Sequence, residues 1–333
     1  MAGDHPPLGF DTVNGRFFPV QASVAPRYGR GAMLGLAVGA ALGDLPPGQA
    51  PPESALPVTA EAPFVLHLAA ELSESLMLRG RLVTADLAER LGAFVADPRL
   101  DAATRTALGL IGHGVPVAAV GQRMWVAGGR RPGDERALWA AVPIGLFYAG
   151  LDDHRLPSAL DVTAWSHADP RCRLAAAGVA EAIAAGTRDG ATADAMCVAA
   201  MDAIDAGAQR LIDDAPAAEG DAIEAAHGAV RAALNDAFED DDAGRPSAAE
   251  LGSAGALDAA LRAIFHHLYR ESPWPALAAA LAGTGHVAAV AGALLGAARG
   301  EDALPEAWRD AVTPAEGPEG DTVMSQLLAL VAG

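Results

Sequence analysis

The sequence predicts an all-α fold, a compact single domain of many helices, and three observations carry that prediction. The 333-residue chain is 51% hydrophobic but only 5% aromatic, so its core is mostly Ala, Leu and Val, and Ala is the best helix former. Runs rich in Val, Ile and Thr with period-two alternation are scarce, which argues against an extensive sheet. Helix-like segments instead follow one another, punctuated by Gly and Pro.

Residues 1–27 hold several Gly and Pro and no helical period, and read as an extended arm on a helical domain spanning 28–333. Arg30 to Leu42 is small, apolar and helical, followed by a Pro-rich loop from Asp44 to Glu61. A strong helix runs from Pro63 to Leu78 and stops at Gly80. Thr84 reads as the N-cap of the next, with Leu87, Leu91 and Phe94 on one face. Gly112 to Gly133 is broken by Gly and Pro around a short helix near Ala118 to Val126. Further helices are expected over Arg136 to Tyr148, Pro157 to Ser166, Pro170 to Ala185, Ala191 to Leu211 and Pro216 to Phe238. An acidic, flexible loop follows near residues 239–249, read as an insertion. Leu257 to Tyr269, Pro273 to Ala282, His286 to Arg299 and Thr322 to Val331 complete the series.

A net charge of −19 disfavours nucleic acid and anionic membranes as partners, because both repel an acidic surface. Cys172 and Cys197 have no metal-binding spacing and read as reduced thiols. The N-terminus has no basic segment followed by an apolar one, and the apolar run from Ala276 to Ala298 is interrupted by Gly283, Gly285 and His286. A cytoplasmic protein is the resulting expectation; the oligomeric state is open.

Four segments in order carry a family resemblance. Gly31-Ala-Met-Leu-Gly-Leu-Ala-Val-Gly-Ala-Ala-Leu-Gly43 resembles GALLGLAVGDALG. Ser73 to Gly80, with Leu91 beyond, resembles the end of a helix that begins TDDT. Ser166-His-Ala-Asp-Pro170 resembles THxDP. Gly283 to Ala297, running on to Leu304-Pro-Glu-Ala-Trp308, resembles GGDTDTNAAIAGALLGA followed by GLSAIPEEW. Together they resemble the ADP-ribosylglycohydrolase family over residues 30–310. That resemblance implies the family's many-helix fold, and hydrolysis of a glycosidic bond to ADP-ribose with two Mg²⁺ bridging acids of TDDT and DTDT.

The chain departs from those motifs at the chemistry. The TDDT positions fall on Pro63, Phe64, Val65 and Leu66, none of which can ligate Mg²⁺ by its side chain. The acids of the last motif fall on Gly283 and Gly285, its ligating Thr on His286, and the non-ligating Thr284 remains. The Asp of GDALG is Ala40, and the Glu that often follows falls near Pro47. The phosphate loop GNGALMR aligns with Asp134 to Ala140 and loses its Asn-Gly and Arg. Thr59, Glu61 and Asp44 lie nearby, but no Asp-Asp pair exists between residues 30 and 100 to restore the motif. No metal ligands and no cofactor are therefore assigned.

Other residues could work in their place. His67 lies one turn beyond Phe64, and His286 opens the facing helix, so the two imidazoles could meet as acid–base groups or bind a softer metal with Asp44 or His113. The blander reading, which carries more weight, makes each a hydrogen-bonded wall residue. His167 either faces the cleft or caps a helix with Asp169. Arg130 and Arg131 on a Gly-rich loop could hold a phosphate, or be solvated. Trp139 stands in the family's nucleotide loop and could stack on a ring. The first reading is a member without the Mg²⁺ site, catalytically degenerate, that binds an ADP-ribose-like or less charged small molecule through Phe64, Arg130, Arg131, Trp139, His167 and Thr284, or acts as a regulator. The alternative is a metal-independent enzyme with a repurposed apolar cleft, for example in specialised-metabolite biosynthesis, using His67 and His286. An active Mg²⁺-dependent hydrolase ranks third.

Overall fold

Four glycines spaced one helical turn apart set the centre of the molecule. In a computed structural model, which describes residues 10–13, 16–19, 25–49, 51–56, 63–130, 134–251, 253, 255–313 and 323–331, they lie on helix α1 (Pro26–Gly43). Gly31, Gly35, Gly39 and Gly43 face Gly296, Gly292, Ala288 and Gly285, and a Cβ on any of the four would stand 2.1–2.3 Å from a carbonyl oxygen of that partner. The two backbones therefore touch, which only residues without side chains permit. The partners lie on and just before helix α14 (His286–Arg299).

Between them run α2 (Phe64–Arg79), α3 (Thr84–Leu91), α4 (Ala102–Gly112), α5 (Val117–Ala127), α6 (Ala141–Phe147), α7 (Asp152–Val162), α8 (Pro170–Gly186), α9 (Ala193–Asp214), α10 (Gly220–Glu239), α11 (Ala248–Leu251), α12 (Ala256–Tyr269) and α13 (Trp274–Leu281). After α14 come α15 (Glu306–Val312) and α16 (Val323–Ala329). The all-α prediction therefore holds. Apolar side chains from α1 to α16 join one core. Within it α8 is nearly all buried, packed on α6, α7, α9, α10 and α14. Its Ala-rich face lets these helices approach closely, and burial of apolar surface supplies the driving force.

Several expectations needed correction. The described part of the N-terminal arm is an antiparallel hairpin, β1 (Phe10–Val13) and β2 (Arg16–Pro19), with Phe10 opposite Pro19 and β2 against α2. Helix α4 was not assigned from the sequence, where the broken segment was taken to begin at Gly112, its last residue. The segment read as one helix from Arg136 to Tyr148 is a 3-10 turn, Glu135–Ala140, followed by α6. Val83, not Thr84, precedes the first turn of α3, and no side chain caps it. Pro157 lies inside α7, whose first turn carries Asp152 and Asp153 where acids favour the helix dipole. Thr59 and Glu61 lie outside the described residues.

The acidic loop is anchored. His267 donates from Nε2 to the Gly244 carbonyl at 2.9 Å, Arg270 pairs with Asp241, and Gly244 is buried against the His266 ring. Trp308 is fully buried on α15 and donates to the Pro52 carbonyl at 3.1 Å, fixing the loop that follows α1.

Candidate functional site

The first turn of α2 is an apolar wall. Phe64, Val65 and Leu66 are 6%, 5% and 2% exposed. The Phe94 ring stands edge-on to Phe64 with centroids 5.8 Å apart. The Arg99 guanidinium covers Phe64 at 4.9 Å and is held by the Asp97 carboxylate. Asp44, at the end of α1, is the nearby acid; burial raises its pKa and Arg99 opposes that rise. A cation of the chain's own thus lies over the turn where the resemblance would put acids.

The front of α14 is closed in a different way. Gly283 has φ +83° and donates to Leu42 O at 3.1 Å, and a Cβ there would meet Pro47 N at 2.8 Å and Leu45 O at 2.9 Å. An acid at this position has neither the backbone freedom nor the room. Gly285 donates to Gly43 O at 3.1 Å, and Thr284 turns its hydroxyl back onto Leu281 O at 2.7 Å. The residues present do not fit the two Mg²⁺ that the resemblance implies. Hard cations need several oxygen ligands, and no group of three His, Cys, Asp or Glu among the described residues could hold a metal ion.

His67 and His286 go to different neighbours. His67 is half-buried beside the Phe94 ring, 6.3 Å between centroids. Among the described residues, no hydrogen bond or ring contact joins it to His286. His286 instead meets the 3-10 turn after Asp134. Burial pushes its pKa down to about 4, with the charges of Asp101 and Asp134 opposing and that of Arg136 assisting. Its Nδ1 is buried and, among the described residues, has no hydrogen-bond partner.

Around that turn the chain assembles a polar cluster. Asp101 caps α4 by accepting from the Thr104 N–H at 2.7 Å. Its Oδ1 also lies 3.5 Å from His167 Nε2. His167 Nδ1 meets Ser166 Oγ at 2.9 Å, and both residues are buried. A proton on Nε2 faces the Asp101 carboxylate and leaves Nδ1 to accept from Ser166. Asp134 caps the 3-10 turn through the Arg136 N–H at 2.9 Å and is gripped by the Arg136 guanidinium. Burial works to raise its pKa, and Arg136 overcomes this and holds it below the ordinary value. Glu135 goes the other way: burial and then the Asp134 charge push it up to about 7. Cys172 is fully buried beneath, its Sγ 3.5 Å from Asp134 O, and burial raises its pKa further from reactivity.

Beside this cluster opens a cleft of about 260 Å³. Its walls are Ala103 of α4, Gly121, Met124, Trp125 and Gly128 on or just beyond α5, Asp134, and Ser166 to Asp169. Gly121 brings α5 close, since a Cβ there would stand 1.9 Å from Ala164 O. Trp125 is 8% exposed, and among the described residues neither its indole Nε1 nor His167 Nε2 has a partner in hydrogen-bond geometry. Buried polar atoms without partners are uncommon and expensive. Two further hollows, of about 260 and 330 Å³, adjoin it by sharing Trp125 and Ala168, then Gln122, Ala168 and Arg173.

The other candidates fall as follows. Arg130, at φ +55°, leans over the Trp125 ring at 5.3 Å and pairs with Glu219 at 3.8 Å. Arg131 lies outside the described residues. Trp139 is buried among Leu68, Leu91 and Trp165 along a narrow crevice that reaches His167. His113 is exposed and bonds Gly109 O at 2.7 Å. Sequence reasoning singled out neither Trp125 nor Asp101 as a site residue. The signal for Asp101 was an Asp three residues before Thr104, an N-cap spacing.

A family model described as ADP-ribosylglycohydrolase matches residues 24–332. No curated protein matches the chain. Among the described residues, no helix is long and apolar enough to cross a membrane.

Proposed function

The chain belongs to the ADP-ribosylglycohydrolase family, and from that premise we propose that it uses the family scaffold to bind a small, uncharged or cationic molecule in the cleft between Trp125 and His167, without the dimagnesium chemistry. The observation that carries this reading is the exchange of one site for another. Where metal-holding acids are expected, Phe64, Val65 and Leu66 are packed and Gly283 abuts Leu45 and Pro47. A cleft lies beside Trp125 and His167, whose Nε1 and Nε2 are two of the buried polar atoms without a hydrogen-bond partner among the described residues.

An anionic nucleotide is the poorer fit. Among the described residues no Lys or Arg lines the cleft, Asp134 and Asp169 do, and the guanidinium groups of Arg136 and Arg130 pair with Asp134 and Glu219. Phosphate recognition needs uncommitted cations or backbone N–H groups. Thermal-shift and calorimetric titrations test the reading. Neutral and amine-bearing fragments are expected to bind, with ADP-ribose inert whether or not Mg²⁺ is present. Mg²⁺-dependent ADP-ribose binding, or Mg²⁺-dependent release of ADP-ribose from a modified protein, overturns it.

A second reading, a metal-independent enzyme, is favoured by one observation. His286 keeps an unpartnered Nδ1 beside Asp101, Asp134 and Arg136. On this reading its acid–base partners are those residues rather than His67. Its test is a His286→Asn variant: loss of turnover of a cleft ligand, with binding retained, supports it, and unchanged turnover removes it.

A further inference from the structure

The narrow crevice beside Trp139 has a volume of about 20 Å³, room for a single water molecule. Part of its wall is apolar, with Leu68, Leu87 and Leu91, and a hollow lined by such residues alone stays dry. The rest is polar. Thr163 and His167 both line it, 2% and 5% exposed, and among the described residues neither Thr163 Oγ1 nor His167 Nε2 has a hydrogen-bond partner. Their backbones are tied together, since His167 N donates to Thr163 O at 2.7 Å. We propose that the crevice is a built site for one buried water, bound by Thr163 Oγ1 and His167 Nε2. This goes beyond the ligand cleft and does not depend on it, because the two hollows share only Ser166 and His167.

Size and chemistry together select the ligand. A volume near 20 Å³ has no room for an organic molecule. A monatomic anion could accept from both groups, but Asp101 Oδ1 lies 3.5 Å from His167 Nε2 and opposes a negative charge. A metal cation would meet the proton on Nε2, and among the described residues no acid lines the crevice. The Thr163 hydroxyl both donates and accepts, and an imidazole nitrogen does one or the other according to its tautomer. Water meets either need, because it too donates and accepts. With the proton on Nε2, the water accepts from His167 and donates to Thr163 Oγ1. A water bridge is nearly as good in enthalpy as a direct hydrogen bond, whereas two dry polar atoms each bear their full desolvation cost.

A crystal structure of the full chain that resolves ordered solvent reads the site without any variant. A density peak is expected within about 2.7–3.2 Å of both Thr163 Oγ1 and His167 Nε2. No peak there, or one that reaches only one of the two atoms, overturns the site. Solution measurements then test what the water does. Oxygen-17 relaxation dispersion counts long-lived buried waters, and Thr163→Val should lower the count by one while Thr163→Ser, which keeps the hydroxyl, leaves it unchanged. The melting temperature gives a sign. In a dry crevice Thr163→Val exchanges an unsatisfied buried hydroxyl for a methyl of the same shape, and the protein should melt higher. With the water in place the same change removes one of its partners, and the protein should melt lower. An unchanged count in Thr163→Val, or a melting temperature that rises or stays the same, overturns the proposal.

Discussion

His267 and His286 are both driven to about 4, by burial, yet they sit in opposite circumstances. His267 is 4% exposed and fully used, donating to Gly244 O and meeting Ser272 Oγ at 2.9 Å through Nδ1. Because a carbonyl can only accept, Nε2 carries the proton and Nδ1 accepts from the serine. Such a histidine must stay neutral in the folded state. Its folded pKa lies below the unfolded value of 6.5, so the unfolded chain binds more protons between those values. Its contribution is complete above pH 6.5 and is lost as pH falls toward 4, on the order of 1–3 kcal/mol in all. Glu135, raised to about 7, acts in the opposite sense as pH rises through its range, so the single variant isolates the effect. Urea unfolding across this pH range should show stability falling on the acid side, and His267→Gln should flatten that slope. An NMR titration placing His267 near its ordinary value would refute it. His286 differs because its Nδ1 has no hydrogen-bond partner among the described residues. His167 and His286 were legible from their motif positions. The pairing of His286 with His67 was not, because the spacing of α2 says which residues share a side and nothing about what faces it. Phe94 and Arg99, from the next segment, took that place.

At the level of elements, the contact of α1 with α14 carries the most order per residue. Gly35 and Gly292 meet with a hypothetical Cβ at 2.1 Å and 2.2 Å from the other's carbonyl oxygen. Both obstacles are backbone, so relief requires the helices to separate along their length. Gly35→Ala or Gly292→Ala should therefore cost about 1–3 kcal/mol or more, despite the better helix propensity of Ala. Gly109 of α4 is the matched contrast, with nothing within 4 Å of a Cβ; Gly109→Ala should stabilise by roughly 0.5–1 kcal/mol. Denaturation midpoints of the three variants check both signs, and similar effects from all three would refute the packing account. Both helices of this pair were legible in the sequence as small, apolar segments, but their contact was not, because a row of Gly says how closely a helix can be approached and not by which partner. Helix α4 was missed altogether, since Gly109 and Gly112 within it weaken its helical signal, and with α4 went Asp101, which the cap of that helix fixes beside His167. The 3-10 turn over Glu135–Ala140 was hidden likewise: its composition suits a helix, and only the Asp134 cap and tertiary packing tighten it.

For the whole molecule, the charge decides how any divalent cation must be interpreted. There are 42 Asp and Glu against 23 Lys and Arg. Self-repulsion on that scale destabilises the compact state, and salt screens it over a Debye length of about 8–10 Å near physiological ionic strength. Added NaCl should raise the melting temperature. Mg²⁺ should raise it too, because any acidic surface attracts divalent ions, and a family member tested naively would seem to respond to its metal. A built site behaves differently: it saturates, it prefers Mg²⁺ over Ca²⁺ through its tighter octahedral geometry, and it adds stabilisation beyond screening. The wall of Phe64, Val65 and Leu66 and the packed Gly283 provide no such ligand set. At matched ionic strength, Mg²⁺ and Ca²⁺ should therefore give the same small shift, non-saturating, and removed as readily by excess NaCl as by a chelator. A saturable, Mg²⁺-selective increment at matched ionic strength would place a metal in this protein after all and return its chemistry to that of its family.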